Sequence, residues 1–499
     1  MSLINITGLT FSYEGGSENV FENVNIQLDT NWKLGLIGRN GRGKTTLLKL
    51  LTGEIQGSGT ISSSVKFEYF PYCVNDPDMF TIDVIREIAP DAEDWEIYRE
   101  ISLLGIDSDA DYRQFRTLSG GEQAKAMLAG LFLRRSAFLL IDEPTDHLDS
   151  GGRRILGQYL AGKKGFILVS HDRLLLDECT DHILSINRCD IIVCKGNYSE
   201  WQRSKEMQDR FELARNDKLK KDIKRLETAA RRTAEWSDKA ERSKIGFDPA
   251  KVEKSISRRP YEGAKAKKIM SRSAVISERR EKAVAEKSGL LKNIEQSAEL
   301  RLTPLEFHSR QVVGLEKVSL RYGEKIICTD VNLTVMRGER IALTGSNGCG
   351  KSSILRIICG ENIVHTGHII RNGQLKISYV PQKSDHLHGS LREYAETLGI
   401  DISLYFAILR KLDFSRELFG QNIESFSAGQ KKKIMIAGSL CERAHLYIWD
   451  EPLNYIDIIS RIQIEKLILD SRPTMIFVEH DEAFREKIAD RTIEISRTE

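Results

Sequence analysis

The sequence predicts an α/β protein built twice: two domains of one plan joined by a long antiparallel α-helical linker. Three observations carry that expectation. The stretch "GLIGRNGRGKTTLLKLLTG" at residues 35–53 returns at 342–360 as "ALTGSNGCGKSSILRIICG". Three more blocks return in the same order: "LSGGEQ" as "FSAGQK", "FLLIDEP" as "LYIWDEP" and "LVSHD" as "FVEHD". The segment between the copies resembles neither, runs from Trp201 to Arg242 without Pro or Gly, and is strongly basic. The resulting division is 1–197 for the first domain, 198–309 for the linker and 310–499 for the second domain.

Composition sets the limits. A chain of 499 residues is too long for one ordinary core and suits about three domains. Its 40% hydrophobic and 29% charged residues describe a globular protein. The longest apolar runs, such as "LAGLFL" and "GFILVS", fall well short of the roughly 20 residues that span a bilayer, so no membrane segment is expected. The opening "MSLINITGLTFSYEGG" has neither the basic start nor the apolar stretch of a secretion signal. The eight cysteines form no C-x-x-C pair, which argues against a zinc site or a disulfide framework and fits a cytoplasmic protein. The formal net charge of +2 conceals a segregation: residues 201–300 hold 27 Lys or Arg against 17 Asp or Glu, so the positive excess sits in the linker.

Within each copy, "KLGLIG" and "RIALTG" read as buried strands. Each feeds a Gly-rich turn and then a helix, which Gly53 or Gly360 stops in the left-handed conformation that glycine tolerates. The turns match G-x-x-x-x-G-K-S/T, from Gly38 to Thr45 and from Gly345 to Ser352. Such a turn cradles nucleotide phosphates. Backbone N–H groups wrap the oxygens, Lys44 and Lys351 neutralise the terminal phosphates, and Thr45 and Ser352 offer hydroxyls to Mg²⁺. "AFLLIDEP" and "HLYIWDEP" each end an apolar strand in Asp-Glu. Asp142 and Asp450 would support Mg²⁺, and Glu143 and Glu451 would polarise the attacking water. His171 and His480, each followed by Asp at a strand end, would reach the γ-phosphate. Ser119 with Glu122, and Ser427 with Gln430, have capping-box spacing, so each serine is expected to start a helix. Gly120 and Gly121 keep that helix start bare, its N–H donors aimed at an anion held elsewhere.

In this order and twice over, the phosphate loop, LSGGE signature, Asp-Glu strand end and histidine resemble the ATP-binding cassette family of P-loop NTPases. The resemblance implies an ATP hydrolase that uses Mg²⁺. It also implies that the two cassettes pair head to tail within one monomeric chain, each signature completing the other's site. The first nucleotide would then contact Tyr13, Gly38, Asn40, Gly41, Gly43, Lys44, Thr45 and Thr46 together with Ser427 and Gly429. The second would contact Tyr322, Gly345, Asn347, Gly348, Gly350, Lys351, Ser352, Ser353 and Gln382 together with Ser119, Gly120 and Gly121. Gln382 of "SYVPQ" would join the Mg²⁺ ligands, whereas "EYFPY" has Tyr72 in that place. The signature facing the first loop is weaker, with Ala428 where Gly120 stands in the other copy. The second site is therefore expected to turn over faster.

The linker carries a different signal. Leu219, Ile223, Leu226 and Ala230 follow helical spacing, and Ile269, Ile276, Ala283 and Leu290 recur every seven residues. Between them Gly246, Pro249, Pro260 and Gly263 break the chain, which makes an antiparallel helix pair. Arms of about 37 to 42 residues would extend roughly 55 to 60 Å. The tip, near 243–262, mixes positive charge with aromatic rings in Lys244, Phe247, Lys254, Arg258, Arg259 and Tyr261. That mixture suits phosphate neutralisation and base stacking on structured RNA. Only 75 residues separate Lys44 from Ser119, and 76 separate Lys351 from Ser427, so neither copy has room for the coiled coil that DNA-break ATPases insert there.

Tandem cassettes without a membrane domain, "GNYSEW" at 196–201 and a basic helical linker resemble the ABC-F proteins over nearly the whole chain. The resemblance is strongest to their Lsa-type antibiotic-resistance group. It implies a partner, the ribosome, bound at the tRNA exit site with the linker aimed at 23S rRNA and the P-site tRNA. It also implies protection against lincosamides, pleuromutilins and streptogramin A, with ATP hydrolysis driving release. A housekeeping ABC-F translation factor is the alternative. An ATPase subunit of a separate membrane exporter fits less well, and DNA is not an expected partner.

Overall fold

A computed structural model of the chain describes residues 2–13, 19–135, 137–146, 148–187, 190–245, 304–323, 325–346, 348–412 and 414–496. Met1–Trp201 and Glu299–Glu499 together form one compact unit, and Gln202–Ala298 form a second. The first copy runs β1 (Leu3–Phe11), β2 (Phe21–Asp29), β3 (Lys33–Ile37), α1 (Lys44–Thr52), β4 (Ser58–Ser62) and β5 (Lys66–Phe70). It continues through α2 (Thr81–Ile88), α3 (Asp94–Leu103), α4 (Gly120–Leu133), β6 (Ala137–Asp142), α5 (Ser150–Ala161) and β7 (Phe166–Val169). α6 (Arg173–Cys179), β8 (His182–Asn187) and β9 (Asp190–Lys195) complete it, and α7 (Tyr198–Ile245) follows.

The second copy repeats the plan. β10 (Gln311–Tyr322), β11 (Lys325–Met336), β12 (Arg340–Thr344), α8 (Lys351–Cys359), β13 (His365–Arg371) and β14 (Ile377–Val380) precede α9 (Leu391–Thr397) and α10 (Ile402–Lys411). Then come α11 (Ala428–Cys441), β15 (Leu446–Asp450), α12 (Ile458–Ser471), β16 (Met475–Val478), α13 (Glu482–Ile488) and β17 (Arg491–Glu494). Each copy has a small antiparallel sheet, β2-β1-β4 or β11-β10-β13. Each also has a large sheet, β5-β6-β7-β3-β8-β9 or β14-β15-β16-β12-β17. The large sheets are parallel except for the β8-β9 hairpin of the first. The expected fold class, two tandem α/β cassettes, is the observed one.

The central strands explain the apolar runs. "FILV" of β7 and "MIFV" of β16 are buried at every position, as strands covered on both faces must be. Their register also lines up the chemistry. Val169 pairs with Leu36 on one side and Asp142 on the other, and Val478 pairs with Leu343 and Asp450. The residues that follow each of these strands therefore emerge along one sheet edge, where open α/β sheets bind ligands.

α7 begins on the first copy, where Tyr198 is buried and the Ser199 N–H donates to Asp177 Oδ1 at 2.6 Å. The expected first linker helix, Trp201 to Arg242, lies within α7, which extends to Ile245. Lys244 is in its last turn. The second linker arm and Phe247, Lys254, Arg258, Arg259 and Tyr261 lie outside the described residues. Among the described residues no helix is long and apolar enough to cross a membrane.

Candidate active sites at the sheet edges

Each phosphate loop closes on a glycine that no other residue could replace. Gly43 and Gly350 sit at φ 91° and 98°, and an added Cβ would meet Val20 Cγ1 at 2.5 Å or Ile327 Cγ2 at 2.6 Å. Gly41 and Gly348 also have positive φ. Lys44 Nζ donates to the carbonyl of Gly38 at 3.0 Å and to Asn40 Oδ1 at 3.2 Å, and Lys351 Nζ donates to the carbonyls of Gly345 and Ser346 at 2.8 and 2.9 Å. Both ammonium groups are thus buried and folded over their own loops. Burial pushes the Lys44 pKa down, against Glu143, Asp457 and Asp142, which favour its charge. Tyr13 Oη lies 2.7 Å from Thr46 Oγ1, and Tyr322 Oη lies 3.2 Å from Ser353 Oγ, so each tyrosine stands over the first turn of the helix after its loop. Asn347 lies outside the described residues.

The strand-end acids come next. Thr45 Oγ1 donates to Asp142 Oδ2 at 2.8 Å, and Tyr69 Oη donates to the same oxygen at 3.0 Å. Asp450 is fully buried; burial raises its carboxyl pKa and the Ser352 hydroxyl opposes that rise. A hydroxyl beside a carboxylate, next to a phosphate loop, is an oxygen donor set that fits Mg²⁺. Glu143 and Glu451 each adopt a left-handed backbone, φ 49° and 46°, pinned by N–H bonds of 2.9 Å to the carbonyls of Val169 and Val478. The same uncommon backbone conformation therefore holds both glutamates at equivalent places on the sheet edge.

From here the copies diverge. Glu451 Oε2 accepts from Gln382 Nε2 at 2.7 Å and from Asn454 Nδ2 at 2.9 Å, while His480 Nε2 lies 3.4 Å from Oε1. Burial alone would raise the Glu451 pKa, but the hydrogen bonds from His480 and Gln382 bring it down to about 2. Gln382, expected among the Mg²⁺ ligands, donates to Glu451 through Nε2, a bond that does not use the Oε1 with which an amide would hold a metal. Glu143 has Tyr72 and Asp146 at the corresponding positions. It accepts from the His171 backbone N–H at 3.2 Å, with His171 Nε2 3.3 Å away. Burial, with the negative charge of Asp146 added, raises its pKa to about 8. Burial beside Lys44 and Arg461 holds the His171 imidazole well below its ordinary value.

The signature helices start as expected. Ser119 caps α4, with the Glu122 N–H donating to Ser119 Oγ at 3.3 Å and Glu122 Oε2 accepting from the Ser119 N–H at 2.7 Å. Ser427 caps α11 through the same exchange with Gln430, at 3.3 and 2.9 Å. Gly120 and Gly121 are the first two residues of α4. What lies opposite each start differs. Ser427 and Gly429 line a cavity of about 470 Å³ with Lys44, Glu143, His171 and Tyr13. Asn40 Nδ2 donates across to the Tyr455 carbonyl at 2.7 Å, and a Cβ on Gly429 would lie 3.3 Å from the same Asn40 Nδ2. The first composite site is assembled from both copies. At the second loop, Gly345 and Ser346 border a cavity of about 630 Å³ together with Asp149 and Ser150 of the first copy.

Sequence reading missed the groups that tie the copies together. Arg173 Nη2 lies 2.6 Å from Glu465 Oε1 and 3.2 Å from Asp481 Oδ2, all three buried, and Ile458 at the start of α12 packs into the helical core of the first copy. Arg461 Nη1 donates to the His171 carbonyl at 3.0 Å. Asn454 and Asp146 were visible as departures between "EPLNYID" and "EPTDHLD", and Glu479 as the residue standing where Ser170 does. Arg173 and Arg461 left no local signal.

Comparison with known proteins agrees with this geometry. The family model described as ABC transporter matches residues 21–146 and 328–454. Ribosome protection protein VmlR of Bacillus subtilis (strain 168) is 29% identical over 508 residues, covering 98% of this chain and 86% of that protein. The energy-dependent translational throttle protein EttA of Escherichia coli (strain K12) is 22% identical, covering 94% and 88%. Among solved structures, the archaeal ribosome recycling factor aABCE1, in complex with the stalk protein aP1, matches with a TM-score of 0.64 at 18% identity, covering 98% of this chain and 87% of that one. The chain belongs to the ATP-binding cassette family, within its ABC-F branch, and is an ATP hydrolase.

Proposed function

We propose that the protein is a cytoplasmic, ribosome-binding ABC-F ATPase that protects the ribosome from drugs acting at the peptidyl-transferase centre: lincosamides, pleuromutilins and streptogramin A. The observation that carries this reading is similarity to a ribosome protection protein along 98% of the chain, tandem cassettes and basic linker segment included. Lys44 and Lys351 bind the terminal phosphates. Thr45 with Asp142, and Ser352 with Asp450, would hold Mg²⁺, which would screen phosphate charge when bound. Glu143 and Glu451 accept a proton from water, and His171 and His480 orient that water and the γ-phosphate. ATP favours the closed cassette pair, the closed pair binds the ribosome better than the open one, and hydrolysis returns the open form. The linker tip then acts near the P-site tRNA and 23S rRNA from the tRNA exit site. Similarity to EttA supports the second reading, a housekeeping translation factor.

Deleting residues 243–262 tests the reading. ATP hydrolysis is expected to survive and drug protection in a sensitive host to disappear, across a panel of lincosamide, pleuromutilin, streptogramin and phenicol drugs. Full protection by the deleted chain would overturn the tip's role. No protection by the intact chain, together with altered translation, would favour the housekeeping reading.

A further inference from the structure

Arg461 lies in the second cassette, yet it holds the switch histidine of the first. Its side chain is buried, Nε donates to the Ile456 carbonyl at 2.9 Å, and Nη2 donates to the Leu453 carbonyl at 2.9 Å. Nη1 donates both to Asp481 Oδ2 at 2.9 Å and, across the interface, to the His171 carbonyl at 3.0 Å. The His171 backbone is thereby held on both sides of its Cα, since its N–H donates to Glu143 Oε2 at 3.2 Å. One guanidinium, rigid and planar, therefore links the loop that follows Glu451 to the residue whose backbone N–H binds Glu143.

Arg153 is its counterpart in the first copy and makes the equivalent bonds within its own cassette. Nε donates to the Leu148 carbonyl at 3.1 Å and Nη1 to Asp172 Oδ2 at 3.3 Å. Leu148 and Asp172 stand where Ile456 and Asp481 stand in the other copy. Opposite Arg153, however, lies a cavity of about 700 Å³ whose walls include both Arg153 and His480. His480 directs its backbone N–H to Glu479 Oε1 at 2.9 Å, and Glu451 is held by Gln382 and Asn454 instead.

We propose that Arg461 and Arg153 are a pair of trans-acting positioning residues, each serving the opposite cassette's histidine: Arg461 is engaged on His171, and Arg153 engages His480 when the second site closes. Each arginine reports the state of its own post-strand loop to the other site, so the pair couples the two hydrolysis steps. The proposal rests on the reading that Glu143 and His171 serve the first site and Glu451 and His480 the second.

The test separates the sites. Turnover by a Glu451→Gln chain reports the first site, and turnover by a Glu143→Gln chain reports the second. Adding Arg461→Ala to the first is expected to lower kcat roughly 10- to 100-fold with KM for ATP within about twofold, and Arg461→Lys is expected to recover part of the loss. Adding Arg153→Ala to the second is expected to lower its kcat by the same order. The melting transition of each variant establishes folding. Should Arg461→Ala fail to fold, Arg153→Ala decides alone, because its side chain faces the cavity. A loss confined to KM, an equal loss in both backgrounds, or unchanged second-site turnover in Arg153→Ala would overturn the proposal. Absence of all turnover in both single-glutamine chains would instead overturn the site reading, and the proposal with it.

Discussion

Glu143 and Glu451 end equivalent strands, share a left-handed φ and sit beside equivalent histidines, yet they are held by groups of opposite character. Glu451 receives amide protons from Gln382 and Asn454 and is ionised far below neutrality. Glu143 has Asp146 for a neighbour and a pKa of about 8. The closure of the two sites runs the other way. The Lys44 site is met by the opposite cassette through Asn40–Tyr455, Arg461–His171 and Arg173–Asp481 contacts, whereas Gly345 with Ser346, and His480, border separate cavities of about 630 and 700 Å³. Among the described residues, the first site joins groups of both cassettes around a carboxyl of raised pKa, and the second holds a carboxylate that is ionised far below neutrality. Homologous cassettes diverge where a few polar substitutions change sign, while the motifs that name the family stay alike.

The largest test of that contrast is removal of each base. Glu143→Gln and Glu451→Gln should each silence their own site by roughly 10²- to 10⁴-fold, and the Glu143→Gln chain should retain more total turnover. A greater residual rate in Glu451→Gln would reverse the ranking. Next, Gly429→Ala places a methyl within 2.6 Å of the Tyr455 carbonyl of its own cassette and 3.3 Å from Asn40 Nδ2 of the other, and should lower first-site turnover roughly 10- to 100-fold by displacing the carbonyl that Asn40 binds. Second-site turnover read in the Glu143→Gln background should fall less. A smaller effect is the pH dependence. Glu143 accepts a proton only when ionised, and its raised pKa of about 8 means that first-site turnover should climb about tenfold per unit below that pH and level above it. Glu451, lowered to about 2, should impose no such rise between pH 6 and 9. The smallest change is Asp146→Asn, which removes the negative neighbour, lowers the Glu143 pKa and should raise first-site turnover at pH 7 by about two- to fivefold. An unchanged or lower rate would assign the difference to Tyr72 instead.

Much of the fold was legible because its signals are local. The phosphate loops, the Asp-Glu strand ends and the two capping boxes each occupy fewer than ten consecutive residues, and their repetition turned short patterns into a domain plan. The expected helix in the first linker arm rested on 42 residues without a breaker, and α7 contains it. The interface was not legible. Asn40 meets Tyr455 across 415 positions, Arg173 meets Asp481 across 308, and Arg461 meets His171 across 290. These contacts exist only once two folded cassettes are set face to face, and the arginines that make them lie in helices α6 and α12 with no motif around them. The divergence of Asp146 from Asn454 was in plain view, but its meaning needed the fold, which sets Asn454 on Glu451 and the Asp146 charge near Glu143.

Co-sedimentation with ribosomes tests the central claim most directly, using the full-length chain carrying both Glu143→Gln and Glu451→Gln. Bound ATP should then hold the cassettes closed without release, so most of the protein should pellet with ribosomes in ATP and remain in the supernatant in ADP. Equal recovery in the supernatant with either nucleotide would contradict the claim that the ATP-closed form is the ribosome-binding form.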